Sequence, residues 1–232
     1  RNKMSFDLLL RYGPSLLDGI VVTIEIVALS IVIGAVLSLP VAAARLSRNP
    51  LINGVAIGYT AFFRGTPLLA QTFLVYYGAT QFRPFLHEAG LWWFFRDAFN
   101  CVVLTFSLNT AAYQAEILRG AIRSLPRGQF EAANALGLPR GVTMLKVVLP
   151  QALIVALRPY GNEVILMIKG SAVASVVTVF DLMGATRLAY ARTFNFAIYL
   201  YAAVLYLIIV ETLRRVWNRL ERRLTRHLRP AG

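Results

Sequence analysis

Long apolar blocks separated by short polar islands make up most of this 232-residue chain. A membrane-spanning helix needs about 20 apolar residues at a rise of about 1.5 Å each. Four blocks reach that length: residues 19–44, 99–118, 147–168 and 194–213. A fifth, residues 51–79, is long enough but is interrupted by Arg64-Gly65-Thr66-Pro67, which places its span mainly after Pro67. The pattern predicts an all-α polytopic membrane protein with five transmembrane helices, a single domain over residues 1–232. Two segments fall short of a span. Residues 172–183 form a run of about twelve, the length of a re-entrant or interfacial piece. Residues 85–99 mix Trp92, Trp93, Phe94 and Phe95 with His87, Glu88, Arg96 and Asp97, which suits an interfacial helix with its rings at headgroup level.

The most polar island, residues 124–146, reads as two short helices. Pro126 stands near a first-turn position, and Phe130, Ala133 and Leu136 follow at near-helical spacing. Gly137 lies where a C-terminal cap favours a left-handed residue, and Pro139 restarts the helix. Neither piece is long enough to span, and a helix of about ten residues is marginal alone in water, so the pair is expected to rest on something.

Composition agrees with a membrane protein. The chain is 57% hydrophobic with a mean hydropathy of +0.60, against about 45 to 50% apolar in soluble domains. The net charge of +13 raises the question of nucleic acid, but the placement of the charges answers it. With the N-terminus outside, fourteen basic residues fall inside, in Arg45, Arg48, Arg119, Arg123, the island and a basic tail over 214–232, against eight outside. That asymmetry predicts a cytoplasmic C-terminus meeting anionic lipid, and no nucleic-acid partner. Cys101 stands alone inside a span, so no intrachain disulfide, redox motif or zinc motif can be built. His87 and His227 lie far apart on opposite sides of this topology, so no metal site is expected. The first seventeen residues are polar and carry no short cleavable core, so the first span is read as its own insertion signal.

Candidate chemistry comes from charges inside the apolar blocks. Glu25, Glu116, Glu163 and Glu211 fall in or near them, where an ionisable group costs at least about 2.5 to 3.5 kcal/mol and usually faces a partner or a cavity. Glu163 follows Arg158-Pro159-Tyr160-Gly161-Asn162, where Pro removes a backbone donor and Gly loosens the helix. A carboxylate there can receive an ammonium or guanidinium, or pair internally with Arg158 or Arg64. Glu116 is simpler, three residues before Arg119 on one helical face. Arg64 reads as a snorkelling anchor for the second span, and Glu25 has no assignment. Ser30, Gly34 and Ser38 form a small-residue stripe for close helix packing, which Gly54 and Gly58 match more weakly.

The string Glu131-Ala132-Ala133, three residues, Gly137, nine residues, Val147, one residue, Leu149-Pro150 resembles the EAA loop of bacterial ABC importer permeases, with Val in place of the usual Ile. "FRGTPLLAQ" from Phe63, "AAYQAEILRGAIRSLPRGQFEAANALG" from Ala111 and "GNEVILMIKGSAVASV" from Gly161 extend the likeness to the polar amino acid permeases, above all the histidine/lysine/arginine and octopine/nopaline branch. Lys169-Gly170-Ser171 departs from the family, lacking the acidic residue that many relatives carry.

The resemblance implies the type I ABC importer permease fold, in the bacterial inner membrane. It makes the island a coupling helix in a groove of a cytoplasmic ABC ATPase dimer, with Glu131, Ala132, Ala133 and Gly137 as coupling residues. Glu131 offers a charge for the partner, the alanines leave room for close contact and Gly137 allows the turn. It implies a second permease subunit, the same chain or a homologue, and an external amino acid-binding protein as further partners. It also implies that Glu163, with Asn162 beside it, contacts a cationic amino acid. No Gly-x-x-x-x-Gly-Lys-Ser/Thr string occurs, so no ATPase site and no cofactor are expected here, ATP and Mg being expected on the ATPase. The alternative is a self-sufficient secondary carrier using Glu163 as a proton or cation site, although such carriers commonly have more spans and paired repeats. A membrane enzyme is a distant third, since no catalytic residues converge.

Overall fold

The computed structural model describes residues 2–226; Arg1, His227 and Arg229, counted above, lie outside them. Among the described residues every regular element is helical. Helix α1 (Asn2–Arg45) is a single rod running through Pro14 and Pro40. At 44 residues it is about 66 Å long, so it extends well beyond one bilayer core. Its early part, polar in sequence, is pinned by packing: Tyr12 lies with Ala189 and Ile198, and Leu16 with Leu182 and Ala185.

The stripe of Ser30, Gly34 and Ser38 is buried. Ser30 Oγ donates to Val103 O at 3.5 Å, and a Cβ at Gly34 would overlap Thr110, so the stripe is the seam between α1 and α6 (Ala98–Ser124) inside one subunit. Gly54 and Gly58 face open space instead. Helix α6 is the central post, touching α1, α2 (Pro50–Gly65), α3 (Leu68–Gln81) and α9 (Leu149–Gly170). Around it lie two apolar clusters, one of larger side chains (Ile26, Val102, Phe106, Met167, Val177) and one dominated by alanine (Ala42, Ala115, Ala152, Ala156) toward the island end. Small side chains let helices approach closely where lipid removes the hydrophobic drive between them.

Three helical segments are long and apolar enough to cross a membrane on length and composition alone: Leu10–Arg45, Arg140–Val177 and Ala197–Leu224. The other two spans of the five-span fold are less apolar or interrupted. Helix α6 carries inward Thr105, Ser107, Asn109, Thr110 and Gln114, which dilute its apolar signal. The remaining span is the pair α2–α3. Its expected position mainly after Pro67 is corrected by the structure, because α3 has 14 residues, or about 21 Å, too short alone for a hydrocarbon core of about 30 Å. Helix is present on both sides of an extended Thr66-Pro67 joint, since Pro67 forces its predecessor out of the helical region.

Two short helices, α4 (Arg83–Glu88) and α5 (Trp92–Phe95), replace the single interfacial helix expected over 85–99; Gly90, at φ +68°, separates them. The island contains α7 (Arg127–Ala135) and the single turn α8 (Arg140–Val142), which continues through a π-helical stretch (Thr143–Val148) into α9. The second expected helix is thus the start of the fourth span. Residues 172–183 likewise do not form a separate re-entrant piece. Ser171–Val177 extends α9 as a 3-10 helix, Thr178 turns at φ 66°, and α10 (Leu182–Thr193) begins at an Asp181 cap. Helix α11 (Ala197–Leu224) closes the bundle and carries the start of the basic tail.

Candidate functional site

The interrupted span positions the site. At the Thr66-Pro67 joint the backbone leaves the helical ladder, and in a membrane every polar group so freed needs a partner. Gln71 and Asn109 supply them. Gln71 Nε2 donates to Phe63 O at 3.0 Å and Thr66 O at 3.1 Å, and Asn109 Nδ2 donates to Phe63 O at 2.8 Å and Gln71 Oε1 at 3.0 Å. Both residues are buried, and neither was singled out in the sequence. The signal was available: two amides inside apolar blocks, one four residues beyond a Pro.

One residue along α6 from Asn109, the Thr110 hydroxyl donates to Glu163 Oε1 at 2.8 Å. Glu163 is 6% exposed. The internal ion pair with Arg158 or Arg64 is not formed: Arg158 Nη2 meets Glu221 at 3.1 Å, and Arg64 Nη1 lies 3.8 Å from Glu116. The second carboxylate oxygen has no partner among the described residues, and it is not sealed from solvent. Glu163 lines a cavity of about 370 Å³ whose walls include Ile31, Leu157, Val164 and Trp217, with Ser38, Gln114 and Tyr160 as further polar members. That volume is in the range of small-molecule sites, which are apolar with a few placed polar groups.

The expected loosening of the helix before Glu163 does not occur. Helix α9 runs unbroken through Pro159 and Gly161, because α11 holds it: the Trp217 indole donates to Leu157 O at 2.8 Å and covers Gly161, where a Cβ would overlap the ring. Asn162, the expected neighbour, is exposed and turned to another face of α9, so the structure does not join it to Glu163 in one pocket.

Nearer the island, Glu116 is surrounded by arginines. Arg119 donates to Oε2 from Nε at 2.9 Å and Nη2 at 2.7 Å, the i,i+3 pair expected, and Arg45 Nε donates to Oε1 at 2.7 Å, which sequence spacing could not reveal. Arg64 stacks over the Tyr113 ring at 5.4 Å rather than snorkelling free. Asp181, also buried, accepts from Gly184 N at 2.9 Å as the cap of α10. Glu211 pairs with Arg214 and Arg215, and Glu25 is exposed on α1.

In the island, α7 ends in a Schellman turn: Leu138 N donates to Ala133 O, Gly137 N to Asn134 O, and Gly137 takes φ +69°. Glu131 and Ala132 are exposed, whereas Ala133 is buried within the subunit. Of the two alanines expected to leave room for a partner, Ala132 alone faces outward; Ala133 lets α7 sit close on its own bundle.

Residues 30–226 match the family described as the binding-protein-dependent transport system inner membrane component. The chain is 40% identical over 227 residues to the nopaline transport system permease protein NocM of Agrobacterium fabrum, covering 97% of this chain and 94% of that one. It is 42% identical over 215 residues to the histidine/lysine/arginine/ornithine transport system permease protein HisM of Escherichia coli, covering 92% and 90%. Among solved structures it resembles a subunit of an amino acid ABC transporter with histidines, at TM-score 0.81 and 33% identity over 93% of this chain and 96% of that one. The MetNI methionine ABC transporter shares the fold at TM-score 0.75 and 21% identity, over 91% of this chain and 96% of that one. On its helical architecture and on these matches, the chain belongs to the family of binding-protein-dependent transport system inner membrane components, the permease subunits of ABC importers.

Proposed function

We propose that this chain carries basic amino acids or related opines across the inner membrane by alternating access, powered by a separate ATPase dimer and fed by an external binding protein. One observation carries the substrate class. Glu163 is a buried carboxylate with a single neutral hydrogen-bond partner, whereas Glu116 is met by guanidinium groups and Asp181 is used as a cap. An apolar cavity ending in such a carboxylate suits an alkyl chain with an ammonium or guanidinium at its end. Lysine, arginine and ornithine, three of the cargos named for the second relative, have a cationic end of this kind.

The orientation that fits has the N-terminus outside and the island in the cytoplasm, which follows from the basic residues gathered at the island end. Glu131, Ala132 and the Gly137 turn then form a rigid exposed knob for the ATPase, with Ala133 seating it. ATP and Mg belong to that partner. A second permease subunit completes the pathway, and Asn162 stands on an exposed face of α9, outside the Glu163 cavity.

The test is uptake into proteoliposomes containing the permeases with the ATPase and binding protein. Glu163→Gln is expected to lower arginine or lysine uptake about ten- to a hundredfold, the loss of one charge-assisted contact, and to lower neutral amino acid uptake far less. An equal fall for both would make Glu163 structural. Uptake driven by a proton gradient without the ATPase would replace this reading with the secondary carrier.

A further inference from the structure

A second cavity, of about 620 Å³, opens at the island end of the bundle. Four arginines line it: Arg48 from the α1–α2 link, Arg123 from the last turn of α6, Arg127 from the start of α7 and Arg140 from α8. None makes an ion pair or a side-chain hydrogen bond with the described residues, and no carboxylate lines the cavity. Nearby arginines behave differently, since Arg45 and Arg119 share Glu116 and Arg158 takes Glu221. Four arginines around one cavity without a counter-ion among the described residues make a receptor for an anion, and the planar guanidinium fork suits phosphate oxygens.

The rest of the lining narrows the ligand. Leu46, Ile122, Phe130 and Met144 form an apolar wall continuous with the cluster of Ala42, Leu118 and Val148 inside the membrane-crossing helices. The cavity therefore joins a cationic mouth to an apolar side at the depth where α1 and α6 end. We infer that it holds the phosphate headgroup of an anionic phospholipid, with the first part of an acyl chain against the Leu46–Phe130 wall. The apolar wall favours a lipid over an acidic protein segment or a free anion. This site is separate from the Glu163 cavity and does not depend on the cargo assigned there.

The experiment is native mass spectrometry of the full-length chain in mild detergent, titrated in parallel with phosphatidylglycerol and phosphatidylcholine. Wild type is expected to retain phosphatidylglycerol preferentially, and Arg48→Gln with Arg123→Gln, both outside the 124–146 loop, to bind it about thirtyfold more weakly. Arg127→Gln with Arg140→Gln is expected to give a similar loss and serves if the first pair does not fold. Equal binding of the two lipids, or unchanged binding in the variants, overturns the assignment. Inorganic phosphate competing as well as the lipid would make it a simple anion site and overturn the lipid. If, in a parallel purification of the assembled importer, the double variant loses the ATPase subunit while keeping lipid, the arginines are a protein-docking surface and the lipid is again overturned.

Discussion

Glu116 and Glu163 lie inside the same bundle, both largely buried, yet their surroundings are opposite. Glu116 Oε1 and Oε2 each meet a guanidinium at 2.7 Å, and a third lies at 3.8 Å. Glu163 meets one hydroxyl and opens on an apolar cavity. The difference is one of use. Glu116 ties α1 to α6 at the island end, where Arg45 also reaches Asn53 of α2 at 2.9 Å, so one carboxylate fixes three helices. Glu163 fixes little and is left with an acceptor to spare. A buried acid that its own chain does not neutralise is available to a ligand, while one that is neutralised is part of the frame.

The largest effect expected from this contrast comes from Glu116→Ala. It leaves Arg119, at 20% side-chain exposure, without an acceptor and Arg45, at 15%, with Asn53 alone, two like charges with no carboxylate between them. Stranding charges of this kind costs about 3 kcal/mol. The midpoint of unfolding in detergent, followed by circular dichroism, should fall accordingly, while Glu163→Gln should barely move it. A small loss for Glu116→Ala would mean that solvent already screens the cluster.

A smaller effect is expected at the other carboxylate. Thr110→Val keeps the shape that packs on Gly34 and removes the one donor to Glu163. A double-mutant cycle with Glu163→Leu should return a coupling of about 1.5 kcal/mol, the scale of a hydrogen bond to a charged group. Additive losses would show that the pair does not interact, and the contrast with Glu116 would then rest on burial alone.

Much of this was legible in the sequence because hydrophobic blocks and buried charges are local signals. Four of the spans, the Gly137 turn and the i,i+3 pair of Glu116 with Arg119 follow from spacing along one segment. What the sequence hid is what lies between segments. Arg45 and Glu116 stand 71 positions apart, and Thr110 and Glu163 stand 53 apart, so no periodicity joins them. Pro159 and Gly161 suggested a break that Trp217, on another helix, prevents. Conversely, the real discontinuity at Thr66-Pro67 was visible, but its span was misplaced because the amides that make it tolerable come from α3 and α6.

The smallest effect sharpens the comparison most, because its sign depends on the partner. Arg64 has a side chain 43% exposed and stands 3.8 Å from an oxygen already taken by Arg119. After allowance for solvent screening, Arg64→Gln should cost under about 0.5 kcal/mol of stability. In a Glu116→Ala background the same substitution should become slightly stabilising, by about 0.5 kcal/mol, because it then removes one of three like charges instead of one of three partners. Unfolding midpoints of the two single variants and the double variant measure both signs. A loss above about 1 kcal/mol for Arg64→Gln alone would make Arg64 a full member of the frame. The division between the frame and the cavity would then have to be drawn on the other side of α2.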